Sequence, residues 1–193
     1  MTLQLAPWRT ILSRALHRNR SKPHSRYFQL ATVKPDGKAA NRTVVFRGFL
    51  DNTNQLQIIT DIRSHKIIDI GHQPWGEICW YFSKTREQFR ITGQLTIIDE
   101  THFKQTARIN VWKKLSDQAR QQFTWPIPGK PYSNNQEDFL NVSPSEDHPL
   151  KNFCLLLFEP QKVDYLALQD TPHHRQLYYL DHQQDWQTQV TNP

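Results

Sequence analysis

A group of polar residues about a third of the way along the chain has the chemistry to bind a phosphate group. Arginine and lysine supply positive charge, and the hydroxyl of serine can donate a hydrogen bond to a phosphate oxygen. Two β-type runs end beside this group, and the apolar stripe that begins at Ile67 predicts a helix starting after Ser64. The free N–H groups and the dipole of a helix N-terminus favour an anion at the same place. The residues of this candidate phosphate site are Arg42, Ser64, His65 and Lys66.

The same residues also have an ordinary interpretation. An arginine at the start of a strand and a serine before a helix are common on protein surfaces and need no ligand. The phosphate-site hypothesis requires that the two β-type runs pair, because only then does Arg42 come close to Lys66.

The hydrophobic pattern predicts a chain that is mostly β-structure. Strands are expected at residues 27–33, 39–49, 56–60, 77–82, 88–98, 153–158, 162–168, 176–180 and 186–190. Helices are expected over residues 5–18 and 64–72, with further helical patterns at about 100–115 and 117–124. Consecutive hairpins with few helices and no β-α-β alternation favour a mainly β fold, an antiparallel barrel with peripheral helices.

Two positions are expected to interrupt the strands. Gly93 predicts a β-bulge, and Glu159-Pro160 predicts a break between two separate strands. Residues 125–150 are rich in Pro, Asn and Ser and predict a long loop, of the kind that often forms a lid or binding loop. Since no internal repeat is visible, residues 1–193 are expected to form a single domain with an N-terminal helical segment over 1–24.

The composition is that of a globular chain. Of its 193 residues 37% are hydrophobic and 11% are aromatic, which is enough to build a core. No apolar run approaches the roughly 20 residues that a membrane span needs, so the cytoplasm is the expected location. Cys79 and Cys154 lie in apolar runs and are expected to be free thiols, and no Cys and His spacing indicates a metal site.

Basic residues are densest between Arg14 and Arg26, and the chain carries a net charge of +6. A solvated helix end and linker is the ordinary interpretation of this run. A positive chain is also suited to an anionic cofactor. The remaining alternative is a basic barrel that binds nucleic acid.

A set of short motifs resembles one known family. The motifs are Arg42-Thr-Val-Val-Phe-Arg47, Ile59-Thr60, Ser64-His65-Lys66, Gln88, His173-His174-Arg175, Trp186 and the closing Val190-Thr-Asn-Pro193. Together they resemble the FMN-binding split barrels of the pyridoxamine 5′-phosphate oxidase family, and its cyanobacterial branch in particular. The resemblance covers residues 27–98 well, 151–193 moderately and 100–150 weakly.

The resemblance implies FMN as cofactor and a homodimeric split barrel with two FMN sites at the subunit interface. The cofactor-binding residues that it implies are Arg42, Thr43, Val44, Val45, Ile59, Thr60, Ser64, His65, Lys66, Gln88 and Arg175. The substrate-binding residues that it implies are Arg47, Arg120 and His173, with Arg120 the best match for an arginine in the weakly similar middle region. It implies no metal and identifies no catalytic side chain.

Three positions depart from the family pattern. Thr171 replaces an arginine on the substrate side, Leu166 (or Tyr165, depending on one gap) replaces a tryptophan beside the flavin, and His65 replaces an arginine of the phosphate motif. The first hypothesis is an FMN-dependent oxidoreductase that takes a hydride from pyridoxamine or pyridoxine 5′-phosphate to flavin N5, with reoxidation by oxygen. The departures motivate a second, a flavin-binding protein that lacks this vitamin oxidase activity.

Overall fold

The computed structural model of the chain describes residues 5–139 and 144–193 as eight antiparallel strands and four α-helices. The strands are β1 (Tyr27–Val33), β2 (Ala39–Phe49), β3 (Leu56–Asp61), β4 (Trp75–Phe82), β5 (Glu87–Ile98), β6 (Phe153–Ala167), β7 (His174–Leu180) and β8 (Trp186–Thr191). The helices are α1 (Pro7–Asn19), α2 (His65–His72), α3 (Gln105–Lys113) and α4 (Asp117–Gln121).

Closure of the sheet produces a six-stranded barrel. The strand order is β3-β2-β1-β4-β5-β6-β7-β8, and β3 also pairs with β6, so that β1 to β6 form a ring and β7 and β8 extend it. Inward positions alternate with outward ones along each strand, and β1 accordingly alternates between exposed and buried residues. The prediction of a mainly β antiparallel split barrel with peripheral helices is confirmed.

Two apolar clusters stabilise this barrel. The larger fills its interior and includes fully buried Trp80, Phe28 and Phe89. The smaller lies between the outer side of β6 and the segment that runs from α3 past α4, where the Trp112 and Phe153 rings meet edge-to-face at 4.8 Å. Burial of these rings holds the α4 segment against the barrel, which places that segment beside the site described below.

Helix α1 is fastened to the barrel by both apolar and polar contacts. Its residues Trp8, Leu12 and Ala15 are fully buried, as the helical spacing predicted. Arg18 donates to both carboxylate oxygens of the buried Glu87, at 2.8 and 2.9 Å. This part of the basic run therefore has a structural partner. Residues 1–4 of the expected N-terminal segment lie outside the described residues.

The expected break at Glu159-Pro160 is wrong, because β6 runs through it without interruption. Proline is tolerated there because Pro160 pairs with Gly93 at the register shift between β5 and β6, where a missing N–H breaks no regular ladder bond. A Cβ on Gly93 would collide with the Glu159 carbonyl oxygen and come within 2.9 Å of the Phe158 ring. The register shift predicted at Gly93 is present, between Thr92 and Gly93, but the extra residue is Gln161 on β6 and not a residue of β5.

Smaller differences concern the helices and the long loop. Helix α3 begins later than the pattern suggested, because Asp99 accepts hydrogen bonds from the backbone N–H groups of Thr101 and His102 and holds a turn there. The long loop is irregular apart from a 3₁₀ turn at Gln136–Phe139, and its residues 140–143 lie outside the described residues. Both cysteines are free thiols. None of the helices in the described ranges has the length and apolarity needed to cross a membrane.

Candidate functional site

A cavity of about 370 Å³ lies between β2, the end of β3, the start of α2 and the segment from α4 to Pro128. This volume is in the range of small-molecule sites. The predicted site residues that line it are Arg42, Thr43, Val44, Val45, Arg47, Ile59, Thr60, Ser64 and Lys66. The pairing of β2 with β3 and the position of α2 therefore bring together residues that stand far apart in the sequence.

Lys66 is held at one end of this cavity by two hydroxyl groups. Its Nζ donates to Thr60 Oγ1 at 2.8 Å and to Ser64 Oγ at 3.0 Å. Among the described residues no carboxylate lies within ion-pair distance of it. Burial, and then repulsion by Arg42, lower the pKa of Lys66. Ser64 does precede α2, but its hydroxyl binds Lys66 and makes no cap hydrogen bond to the helix. We call Thr60, Ser64 and Lys66, with Arg42, the phosphate corner.

Arg42 is oriented from behind by residues that the sequence did not single out. Its guanidinium donates to Thr32 Oγ1 at 2.7 Å and pairs with Asp69 Oδ2 at 3.2 Å. The Thr32 hydroxyl in turn donates to the same Asp69 oxygen at 2.8 Å. Asp69 lies on α2, so this network ties the helix to β1 and β2. It also fixes the arginine in position, as side chains that bind a ligand precisely require.

Arg47 lies at the other end of the cavity, roughly 16 Å along β2 from Arg42 at the usual rise of a strand. Its Nε is buried and has no hydrogen-bond partner in the described chain. Burial, followed by repulsion from Arg26, lowers the pKa of Arg47. A buried donor without a hydrogen-bond partner is costly. Arg47 and Lys66 therefore provide the cavity with two cations that form no ion pair within the described residues.

One wall of the cavity is formed by residues of the α4 segment and of the loop that follows it, none of which was predicted as a site residue, although the loop itself was expected to be a lid or binding loop. These residues are Ala119, Gln122, Phe123, Trp125 and Pro128, and Asp61 joins them from β3. The wall is fastened to the barrel by two hydrogen bonds: Arg63 Nη2 donates to the Trp125 carbonyl at 3.0 Å, and Asn152 Nδ2 donates to the Phe123 carbonyl at 2.8 Å. Hydrophobic periodicity describes residues that are close together in the chain, so it cannot predict contacts between distant segments such as these.

His65 is adjacent to the phosphate corner in sequence but faces a different space. It lines a neighbouring cavity together with Ile68, Asp69 and the other side of Arg42. A Cβ on Gly129 would come within 3.0 Å of the His65 ring, so the loop passes directly over this histidine. The structure therefore separates His65 from the other three residues of the candidate phosphate site, apart from its shared wall with Arg42.

Gln88 and Arg175 do not line the cavity in the single chain. Both belong to a cross-strand row on the outer face of the sheet, in which Tyr81 pairs with Gln88, Gln88 with Leu166, and Leu166 with Arg175. Arg175 makes a two-point ion pair with Asp164, at 3.0 and 2.7 Å.

His173 and Arg120 also lie away from the cavity lining. His173 is exposed, with Nδ1 2.8 Å from the Asp170 carbonyl oxygen. Arg120 is buried; it donates to the Leu115 carbonyl at 2.8 Å and pairs with Asp117. The single chain therefore presents Arg47, and not Arg120 or His173, to a ligand in the cavity.

The arrangement suits an elongated ligand with an anionic end. The phosphate corner supplies cationic and hydroxyl donors, and Val44 and Val45 supply an apolar side. In the described ranges no group of His, Cys, Asp and Glu residues is placed to hold a metal ion.

Comparison with known proteins agrees with this geometry. Residues 5–99 match the family model described as pyridoxamine 5′-phosphate oxidase, FMN-binding domain. A relative from Arabidopsis thaliana, pyridoxine/pyridoxamine 5′-phosphate oxidase 2, is 44% identical over 172 residues, which are 87% of this chain and 86% of the relative.

Two solved structures share the whole architecture. A pyridoxamine 5′-phosphate oxidase-related, FMN binding protein from Nostoc punctiforme is 53% identical, with a TM-score of 0.96 over 98% of this chain and 100% of the other. PhzG from Burkholderia lata has a TM-score of 0.79 over 95% of this chain and 91% of its own at 21% identity, a level that shows a shared fold alone.

Proposed function

Because the chain belongs to the FMN-binding pyridoxamine 5′-phosphate oxidase family, we propose that it is an FMN-dependent oxidoreductase that oxidises pyridoxine or pyridoxamine 5′-phosphate. The observation that carries this proposal is the cavity lined by Lys66 and Arg47, two cations that form no ion pair within the described residues. One end suits the phosphate of a cofactor and the other suits an anionic substrate. Residues 1–193 would act as one FMN-binding domain.

The residues of the phosphate corner fit an FMN phosphate. Lys66 has no carboxylate partner among the described residues, and a phosphate would supply the missing negative charge. Arg42 is already oriented by Thr32 and Asp69, so little freedom would be lost on binding. Thr60 and Ser64 would donate their hydroxyl protons to the phosphate oxygens, a role that needs only rotation of the hydroxyl.

The remaining cofactor contacts in this proposal come from β2 and β3. Thr43, Val44, Val45 and Ile59 would pack against the ribityl chain and the ring. FMN held by these residues would supply the two-electron redox chemistry of the oxidation. The protein would position both molecules and exclude water. No side chain is required as a strong base.

We also propose a homodimer in which the outer face of a second copy completes the site. Val45 lines the cavity and pairs with Tyr27 on β1. Tyr27 and Tyr81 are 46% and 48% exposed, so their rings are available to a partner surface. Gln88 of the partner subunit and the partner subunit's Arg175 would then contact the flavin ring, since neither residue reaches the cavity of its own chain.

The proposal is tested by purification followed by an activity assay. The protein should elute yellow as a dimer, release FMN when heated, and form pyridoxal 5′-phosphate from both substrates with consumption of oxygen and release of peroxide. Arg47→Met should retain FMN but lose affinity for the phosphorylated substrates. Protein that is fully loaded with FMN yet forms no pyridoxal 5′-phosphate would refute the oxidase activity.

A second candidate is an FMN protein that acts on another electron donor. It is favoured by the substrate side: Thr171 stands where the family has an arginine, and Arg120 is turned into the protein, where it binds Leu115 and Asp117. Under this alternative the bound flavin would stay oxidised with pyridoxine 5′-phosphate in the absence of oxygen. Bleaching of the flavin absorbance by a different donor would identify it.

A further inference from the structure

We propose that residues 125–129 form a strap that retains the cofactor phosphate, and that Arg63 is the positioning residue that holds this strap. The inference rests on the proposed place of the FMN phosphate, because the strap borders the phosphate corner. Arg63 is not among the predicted site residues and does not line the cavity. It would therefore act through the strap and not by touching the cofactor.

The strap contacts the chain on both sides of Ser64, a residue of the phosphate corner. At one end of the strap, the Trp125 carbonyl oxygen accepts a hydrogen bond from Arg63 Nη2 at 3.0 Å. At the other end, a Cβ on Gly129 would lie 3.0 Å from two ring atoms of His65. Since Arg63 and His65 are the chain neighbours of Ser64, the strap spans the phosphate corner.

Two residues of the strap also form part of the cavity itself. Trp125 and Pro128 line it together with Ser64 and Lys66. A phosphate that bound to Lys66 would thus have the barrel on one side and the strap on the other.

The strap has few attachments to the barrel. Among the described residues, the bond from Arg63 is the one hydrogen bond that joins residues 125–129 to the barrel. Trp125 and Ile127 are 37% and 46% exposed, so burial of their side chains holds the strap only weakly. The position of the strap therefore depends strongly on Arg63.

Arg63 is fixed in turn by a buried acid. Its Nε and Nη2 donate to the two carboxylate oxygens of Asp61 at 2.9 and 2.6 Å. The Asp61 side chain is 10% exposed and also accepts a hydrogen bond from Asn152 Nδ2 at 2.8 Å. A planar guanidinium can bind a carboxylate at two points and still donate to a carbonyl. Arg63 thereby connects the strap to a rigid part of the barrel.

A strap at this place would slow the exchange of FMN. Excluding water from the phosphate corner strengthens the attraction between the phosphate and Lys66, because water screens charges that lie close together. The strap must also move aside before the phosphate leaves or enters, as the lids of other sites do. Loosening the strap should therefore speed both the release and the binding of FMN.

The test measures both rates. Protein loaded with radiolabelled FMN is mixed with excess unlabelled FMN and filtered at intervals, and association is followed by quenching of flavin fluorescence on apoprotein. Arg63→Met should release FMN about tenfold faster or more, the usual scale of a hydrogen bond to a charged group. Its association rate should rise as well, whereas loss of a cation alone would slow the approach of an anion. Arg63→Lys, which keeps a donor, should restore part of the retention.

Gly129→Ala tests the other end of the strap without changing any charge. Gly129 has a φ of +80° and no room for a Cβ beside His65, so the substitution displaces the strap. FMN release should be faster in this variant too. An unchanged release rate in Gly129→Ala, or a slower association in Arg63→Met, overturns the role of the strap.

Two matched controls lie in the turn between β1 and β2. Gly37 has the same φ of +80° as Gly129, but a Cβ there would meet nothing within 4 Å. Lys38 pairs with a carboxylate two residues earlier in the chain, as Arg63 does. Gly37→Ala and Lys38→Met should both release FMN at the wild-type rate.

The outcomes separate this inference from the proposed function. If Lys66→Gln weakens FMN binding while Arg63→Met and Gly129→Ala release FMN at the wild-type rate, the phosphate corner stands and the strap is refuted. If Lys66→Gln binds FMN as tightly as wild type, the place of the FMN phosphate is refuted, and the strap with it. Because exchange of FMN needs no substrate, neither result depends on the oxidase activity.

Discussion

Replacing Lys66 by glutamine should separate cofactor binding from folding. Lys66 donates to Thr60 and Ser64, and no carboxylate of the described chain neutralises it. In the apoprotein the charge of Lys66 therefore destabilises the fold, since burial and the neighbouring Arg42 both disfavour the charged form. With FMN bound, the same charge would be matched by the phosphate. Lys66→Gln keeps a hydrogen-bond donor on a side chain one atom shorter and removes the charge.

The expected loss of FMN affinity follows from this change. A hydrogen bond to a charged group contributes about 1.5–3 kcal/mol, so the dissociation constant for FMN should rise by roughly 10- to 150-fold at 1.4 kcal/mol per factor of ten. Stability of the apoprotein should move the other way or not at all, because an uncompensated charge is removed from a partly buried position. The opposite signs distinguish a ligand-binding lysine from a structural one.

Both quantities are measured on apoprotein. Quenching of flavin fluorescence on titration gives the FMN affinity, and urea unfolding gives the stability without cofactor. Lys113→Gln is the control, an exposed helical lysine whose partner is Asp147, and it should leave the FMN affinity unchanged. The reasoning is refuted if Lys66→Gln binds FMN as tightly as wild type, or if it destabilises the apoprotein by as much as it weakens FMN binding.

Three further predictions concern the same framework. Gly93→Ala should destabilise the fold by about 1–3 kcal/mol in urea unfolding, because its Cβ would collide with Glu159; Gly71→Ala on α2, with nothing within 4 Å, should instead stabilise it by roughly 0.4–1 kcal/mol. Asp69→Asn should lower apoprotein stability by about 3 kcal/mol in urea unfolding, since its arginine partner loses its counter-charge, and it should weaken FMN binding, because Asp69 orients Arg42. The folded-state pKa of Lys66 lies below its usual 10.5, so the unfolded chain holds that proton to higher pH; apoprotein stability should therefore rise with pH between the two values. FMN affinity should fall as the pH rises through the folded-state pKa of Lys66. Apoprotein stability and FMN affinity are each measured as a function of pH for wild type and Lys66→Gln, and the difference between the two proteins isolates the contribution of Lys66.

The local features of the fold could be read from residue patterns. Alternation and turn residues predicted β1 and β2 with the bounds that the structure has, and Gly93 predicted the register shift that accommodates Pro160. The strand predictions succeeded because strand alternation, turn chemistry and glycine conformation depend on residues close together in the chain. The motif around Arg42 and Lys66 indicated a phosphate site, and that assignment stays a prediction.

The contacts that turn these elements into a site depend on closure of the barrel. The pairing of Arg42 with Asp69, the unpaired state of Arg47 and the wall formed by Trp125 each join segments far apart in sequence. Arg120 shows the reverse case, since a residue expected to face the substrate is buried against its own helix. The type of a side chain follows from the sequence, but its direction and its partners are set by packing between distant elements, and this is why only the tertiary structure shows which cations remain free to bind a ligand.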